Sequence, residues 1–304
     1  LCSVATAAKM NLRPIVGVVA QPLGKESLAD DGKSYIAASY VKYLEMAGAR
    51  VVPIQYNAPA EEIDTLLKGV NGLLFPGGGS CLQKECPFFQ SAARMFQYAI
   101  TANDQGDFFP IWGTCLGFQF LSVMGAGENQ TILQSGFDSE DLPIPLNFTG
   151  DAKTSRLFAG APAHIMDLLA TQPITMNAHH SGVTPAAAAH NQAFSDFYSI
   201  LSTNDDRAGR AFVSTIEGKK YPVYGTQFHP EKNPFEWVVE PTPIPHSNDA
   251  VLVAQYFANF FVAEARKSTH TFGAKENDYL IYNYPANFTG KAGGYFTQSY
   301  FFDA

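Results

Sequence analysis

A cysteine between two glycines is the residue of this chain best suited to chemistry. Gly113, Cys115 and Gly117 follow the apolar run 108–112, which predicts a buried strand, and residues 116–123 can begin a helix. Flanking glycines relieve the strain of a tight strand-to-helix turn, as in the nucleophile elbow of hydrolases. Such a turn exposes the sulfur and directs a helix N-terminus at it, which favours the thiolate. We interpret Cys115 as a nucleophile; the alternative is a small buried hydrophobic residue.

His229 is the best candidate among seven histidines for the base that such a nucleophile needs. Residues 221–228 predict a strand and Pro230 ends its pairing, so His229 lies at a strand terminus, where α/β folds place reactive groups. Glu231 points to the same face in an extended chain and can orient the imidazole. The adjacent His179 and His180 have no third ligand at a zinc-like spacing, so we predict no metal site.

Three segments in the right order resemble the class I glutamine amidotransferase superfamily. They are GTCLGFQ at 113–119, QFHPE at 227–231 and the glycine loop NGLLFPGGG at 71–79. Within that superfamily the chain is more similar to the gamma-glutamyl hydrolase family. The further similar segments are 34–45, 47–53, 146–150, 220–225 and 260–266, so the resemblance runs from about residue 14 to the C-terminus.

The resemblance implies a role for individual residues. The implied catalytic triad is Cys115, His229 and Glu231, and the implied oxyanion hole is made by backbone N–H groups of Gly77, Gly78 and Leu116. The substrate-binding candidates are His179, Gln119, Tyr35 and Gln227. Gln119 stands where this family carries Glu and glutaminases carry Gln. The alternatives are that Gln119 bonds a backbone carbonyl and that Tyr35, expected at the start of the first helix, packs against the body.

The activity that the resemblance implies is that of a cysteine hydrolase. It would cleave gamma-glutamyl isopeptide bonds of folate polyglutamates through a thioester, without a metal or organic cofactor, and we expect a homodimer. A glutaminase that supplies ammonia to a separate synthase is the alternative, which Gln119 favours. A non-catalytic binding protein on the same fold is a third, which the intact triad disfavours.

Alternating strand-like and helix-like runs predict an α/β fold with a mostly parallel central sheet flanked by helices, of the class I glutamine amidotransferase-like (flavodoxin-like) kind. The predicted strands include 14–20, 51–54 and 72–75, and the predicted helices include 34–46, 61–68 and 250–267. Without a repeat or linker, residues 14–304 read as a single domain, with 275–304 as a tail packed on it and 1–13 as an N-terminal extension.

Composition excludes some partners and indicates a compartment. The net charge of −8 and the lack of a basic-aromatic stripe argue against nucleic acid. No apolar run approaches the ~18 residues that would insert in a membrane. Residues 1–8 resemble the end of a secretory signal, and Asn129, Asn147 and Asn287 begin sequons. We therefore expect a lysosomal, vacuolar or secreted protein, in which Cys81 and Cys86 either pair or stay free.

Overall fold

The computed structural model describes residues 10–23, 34–237, 243–292 and 295–303. The signal-like segment 1–8 lies outside them. The strands are β1 Ile15–Val19, β2 Gln21–Pro22, β3 Ser34–Ala37, β4 Arg50–Ile54, β5 Leu73–Phe75, β6 Ile111–Thr114, β7 Leu133–Ile144, β8 Asn147–Phe148, β9 Thr175–Val183, β10 Tyr198–Asp205, β11 Ala211–Gly218, β12 Val223–Thr226, β13 Asn287–Phe288 and β14 Gln298–Phe302. The helices are α1 Ala38–Glu45, α2 Ala60–Leu67, α3 Pro87–Asp104, α4 Leu116–Gly125, α5 Ala163–Thr171, α6 Pro185–His190, α7 Gln192–Phe197, α8 Lys232–Phe235, α9 Asn248–Ala265 and α10 Glu276–Tyr279.

A sheet of eight strands in the order β4-β1-β5-β6-β12-β11-β10-β8 forms the centre of the fold. The first five strands of that order run parallel, and the last three continue the sheet antiparallel. Taken in chain order the parallel strands have the 2-1-3-4-5 arrangement of flavodoxin-like folds. The predicted fold class is confirmed. Its consequence for function is that the carboxyl ends of β5, β6 and β12 lie side by side.

Both faces of the central sheet are buried. Along β1, Ile15 and Val19 pack into one hydrophobic cluster and Val16 and Val18 into another, as the alternation of side chains in a strand requires. The helices α2, α3 and α4 contribute to the first cluster, and α1, α5 and α9 contribute to the second. Within the described part of the chain, no helix is both long and apolar enough to cross a membrane.

The first predicted helix is wrong in its first turn. Residues Ser34–Ala37 form strand β3, and the helix begins only at Ala38. The reason is tertiary: β3 pairs antiparallel with β14 on one side and with β2 on the other, in a four-stranded second sheet with β13 at its far edge. Tyr35 therefore lies in a strand and not at the start of a helix. The segment 275–303 supplies two of these four strands.

Candidate active site

The turn between β6 and α4 holds Cys115 in a backbone conformation that few side chains adopt. Its φ is 51° and its ψ is −103°, a left-handed value for a residue other than glycine. Gly117 makes the turn possible, because a Cβ there would lie 2.0 Å from the backbone oxygen of Phe75 at the end of β5. The Cys115 Sγ lies 3.8 Å from the Ala178 carbonyl oxygen. The elbow predicted from the sequence is therefore present as a strained turn against β5.

His229 and Glu231 form a buried ion pair beside this turn. The His229 Nδ1 lies 2.7 Å from the Glu231 Oε1, and both side chains are almost fully excluded from solvent. Burial opposes a charge on the imidazole, but Glu231 and Cys115 outweigh it and raise the pKa of His229 to about 9. At neutral pH His229 is therefore an imidazolium, whose charge favours a thiolate on Cys115.

Tyr40 is a site residue that the sequence did not reveal. Its hydroxyl lies 3.4 Å from the His229 Nδ1 and accepts the Gly77 N–H at 2.8 Å. Burial and the negative charge of Glu231 raise the pKa of Tyr40 well above its usual range, so the phenol stays neutral. Tyr40 therefore joins the glycine loop to the catalytic pair. Its position inside the predicted helix 34–46 gives no signal of this contact.

The same contact changes the assignment of the oxyanion donors. Because the Gly77 N–H is donated to Tyr40, it is directed away from the space beside the nucleophile. Leu116 is the first residue of α4, where a backbone N–H has no acceptor within the helix. Gly78 follows in the glycine loop and lines the cavity together with Cys115 and Leu116. Of the three predicted donors, Gly78 and Leu116 therefore remain the candidates for an oxyanion hole.

A cavity of about 470 Å³ opens beside Cys115, and two of the predicted substrate residues line it. The Gln119 Nε2 donates to the Ser181 carbonyl oxygen at 2.7 Å and lies 3.4 Å from the Gln227 Oε1. The two N–H bonds of this amide are thereby occupied, which leaves its carbonyl oxygen as an acceptor. Gln119 thus combines both roles weighed from the sequence: it bonds a backbone carbonyl and it borders the cavity.

His179 is the second predicted substrate residue at the cavity. Its side chain is only 4% exposed, and its Nδ1 lies 3.1 Å from the Ser181 carbonyl oxygen. Burial, and then the positive charge of His229, lower the pKa of His179 to about 3. His179 is therefore a neutral imidazole across the physiological range, beside a histidine that is charged.

The two other predicted substrate residues do not border this cavity. Gln227 is fully buried behind Gln119, with its Nε2 unpaired among the described residues. Tyr35 packs its ring 5.9 Å from that of Phe296, which lies just before β14, and burial raises the pKa of Tyr35 to about 12. Packing against the body was the alternative weighed for Tyr35, and this contact favours it.

The charged lining of the cavity is sparse. Glu140, paired at 3.6 Å with the exposed His180, supplies a carboxylate, and no lysine or arginine of the described residues lines the space. The described residues also contain no group of three His, Cys, Asp or Glu side chains that could hold a metal ion. What the site contains is a cysteine on a strained turn, an imidazolium with its carboxylate, and the two candidate backbone donors. This set is suited to acyl transfer.

Comparison with known proteins agrees with this geometry. The model of the Peptidase C26 family matches residues 14–231, which include the whole triad. Gamma-glutamyl hydrolase from Homo sapiens is 42% identical over 294 residues, covering 96% of this chain and 90% of that protein. Gamma-glutamyl hydrolase from Mus musculus is 44% identical over 294 residues, covering 96% of this chain and 90% of that protein. Gamma-glutamyl hydrolase B from Dictyostelium discoideum is 41% identical over 284 residues, covering 93% of this chain and 81% of that protein. The chain therefore belongs to the gamma-glutamyl hydrolase family, within Peptidase C26.

Proposed function

We propose that this chain hydrolyses gamma-glutamyl isopeptide bonds, with folate polyglutamates as its substrates. The observation that carries the proposal is the placement of Cys115 on a strained elbow, in a cavity, beside the buried pair of His229 and Glu231. Family membership supplies the class of bond, because the relatives at about 40% identity are named gamma-glutamyl hydrolases.

The reaction follows from the charges of the site. The Cys115 thiolate attacks the γ-carbonyl carbon, and the resulting oxyanion is held by the N–H groups of Gly78 and Leu116, each worth about 3 kcal/mol. The His229 imidazolium gives its proton to the departing amine as the carbon–nitrogen bond breaks, which leaves a thioester and a neutral imidazole. Water then loses a proton to His229 and attacks the thioester, which releases the acid and restores the thiolate.

Recognition of the glutamyl group is assigned to the polar wall next to the nucleophile. The free carbonyl oxygen of Gln119, one helical turn beyond Cys115, accepts an N–H of the substrate. His179 remains a proposed pocket residue because it lines the cavity. Gln227 acts through Gln119, whose amide it contacts. Tyr35 has no such contact among the described residues, and its proposed role in binding rests on the resemblance alone.

Three substrates test the proposed function. The purified chain is incubated with pteroyl-γ-triglutamate, with the α-linked isomer of that peptide and with glutamine, and the products are separated by liquid chromatography. We expect cleavage of the γ-linked compound alone. His229→Asn should abolish it, and His164→Asn, a matched control at an exposed histidine outside the cavity lining, should leave it unchanged. Hydrolysis of glutamine without cleavage of the γ-linked peptide would instead support a glutaminase.

The compartment and the oligomeric state are also proposals. Cys81 and Cys86 form a disulfide, and such bonds persist in oxidising compartments. The sequon residues Asn129, Asn147 and Asn287 are all exposed. Both observations support a lysosomal, vacuolar or secreted location. A mass loss on treatment with a peptide N-glycosidase tests this location, and sedimentation velocity tests the predicted homodimer.

A further inference from the structure

The loop that holds the disulfide forms part of the wall of the active-site cavity. Residues 81–86, called here the disulfide loop, join the glycine loop to α3, which begins at Pro87. Leu82 and Gln83, between the two cysteines, line the cavity. Lys84 lies outside the lining and pairs with Glu128 at 2.9 Å. The disulfide therefore closes a short loop of which one side faces the substrate space.

The cavity extends well beyond the nucleophile along α4. Cys115, Gln119 and Val123 line it at intervals of four residues, so they share one face of the helix. Eight residues at 1.5 Å each place Val123 about 12 Å from Cys115 along the helix axis. The Gln130 side chain, which also lines the cavity, donates to the Leu82 carbonyl oxygen at 2.7 Å and fixes the disulfide loop over this far end.

The far end of the cavity differs in chemistry from the end near Cys115. Leu82 and Val123 are aliphatic, and Leu133 and the uncharged amides of Gln83 and Gln130 also line the cavity. No lysine or arginine of the described residues lines the cavity, so a carboxylate placed there would lose its hydration without gaining a cation from them. An uncharged, largely apolar group would gain by removing these aliphatic surfaces from water.

We propose that the disulfide loop forms a subsite for the uncharged aromatic part of the substrate, and that the Cys81–Cys86 bond holds Leu82 in place for it. This inference rests on the proposed function, since the occupant is a group attached to a gamma-glutamyl chain. Apart from the disulfide, the loop is held by the exposed Lys84–Glu128 pair, by partial packing of Leu82 on the core, and by hydrogen bonds from Gln130 to the Leu82 carbonyl oxygen and from Gln90 to the Lys84 carbonyl oxygen. Opening the disulfide would therefore let Leu82 move away from the subsite.

Two matched substrates separate this subsite from the catalytic centre. Kinetics are measured with pteroyl-γ-triglutamate and with γ-triglutamate, which lacks the aromatic group. For the double variant Cys81→Ser/Cys86→Ser and for Leu82→Ala, we expect the KM for the pteroyl compound to rise about tenfold, the size of effect that one lost apolar contact produces. The kcat values and the kinetics with γ-triglutamate should stay within about twofold.

Lys84→Ala serves as the control inside the same loop, and it should change neither substrate's kinetics. The iodoacetamide reactivity of Cys115, measured without substrate, should be the same in all variants. The subsite is overturned if the variants raise the KM for both substrates equally, or if Leu82→Ala leaves the KM for the pteroyl compound unchanged. Leu82→Ala keeps the disulfide, so it decides the question if the double variant fails to fold. If the wild type cleaves neither compound, the proposed function fails, and protection of Cys115 from alkylation by each compound then tests the subsite separately.

Discussion

His179 should make the protein less stable in acid, by an amount that follows from its burial. Its pKa is about 3 in the folded protein, and an unfolded histidine has a pKa of about 6.5. The unfolded chain therefore binds more protons below pH 6.5. The stabilisation due to neutral His179 is complete above that pH and is lost as the pH falls toward 3. pH 5 lies about 1.5 pH units below the pKa of the unfolded histidine, so the stabilisation lost at this pH is about 2 kcal/mol of unfolding free energy.

The assay is urea unfolding at pH 7.5 and pH 5, for the wild type and for His179→Asn. Each protein's free energy of unfolding is compared between pH 7.5 and pH 5. Asn cannot titrate, so the loss of stability between these two pH values should be about 2 kcal/mol smaller in His179→Asn than in the wild type. His180→Asn is the matched control, because the neighbouring imidazole is 71% exposed. If the wild type and His179→Asn lose the same unfolding free energy between pH 7.5 and pH 5, His179 is not a buried neutral group. If His180→Asn reduces the pH dependence of stability by a similar amount, the burial of His179 is not the cause of the effect.

Four further variants concern catalysis. Cys115→Ala should abolish turnover of pteroyl-γ-triglutamate, and a residual rate above about a thousandth of the wild-type rate would indicate another nucleophile. His229→Asn should be nearly as severe, whereas Glu231→Ala should lower kcat by about one or two decades, since it orients the imidazole; a loss equal to that of Cys115→Ala would give Glu231 a direct chemical role. Tyr40→Phe leaves the Gly77 N–H without its acceptor, so kcat should fall about tenfold with KM unchanged; a wild-type kcat would contradict this.

The part of the site that is local in sequence could be predicted, and the part that depends on distant segments could not. The glycines around Cys115 identify the elbow because the turn's strain is a property of a few adjacent residues. Strand β3 was missed because its partner β14 lies more than 260 residues later in the chain. The contact from Tyr40 to Gly77 was missed for the same reason, since it joins a helix to a loop on another strand.

Glu231 shows a correct expectation reached through the wrong geometry. An extended chain predicts Glu231 on the same face as His229, because alternate residues of a strand point the same way. In the structure Glu231 has helical dihedral angles, with φ −71° and ψ −21°, and immediately precedes α8. The turn after Pro230 brings the carboxylate back to the imidazole at 2.7 Å. A spacing of two residues therefore indicated the contact but not the backbone that makes it.

Three successive glycines look alike in the sequence, yet the structure gives them different tasks. A Cβ on Gly77 would lie 2.7 Å from the His229 Cε1, 2.7 Å from the Tyr40 hydroxyl and 3.3 Å from the Cys115 Cβ. Gly77 is needed because the catalytic groups fill the space that a side chain would occupy. For Gly79 no atom lies within 4 Å of a built Cβ, although the residue lines the cavity.

We therefore expect opposite results from the same substitution at the two ends of this glycine run. Gly77→Ala should push apart the imidazole and the nucleophile and lower kcat about a hundredfold or more, because small displacements of reacting groups cost rates of that size. Gly79→Ala should keep kcat, with any loss confined to KM because its methyl group enters the cavity. Steady-state kinetics on pteroyl-γ-triglutamate compare the two, with the alkylation rate of Cys115 as a second readout. A wild-type kcat in Gly77→Ala would mean that the glycine loop does not lie against the triad during catalysis.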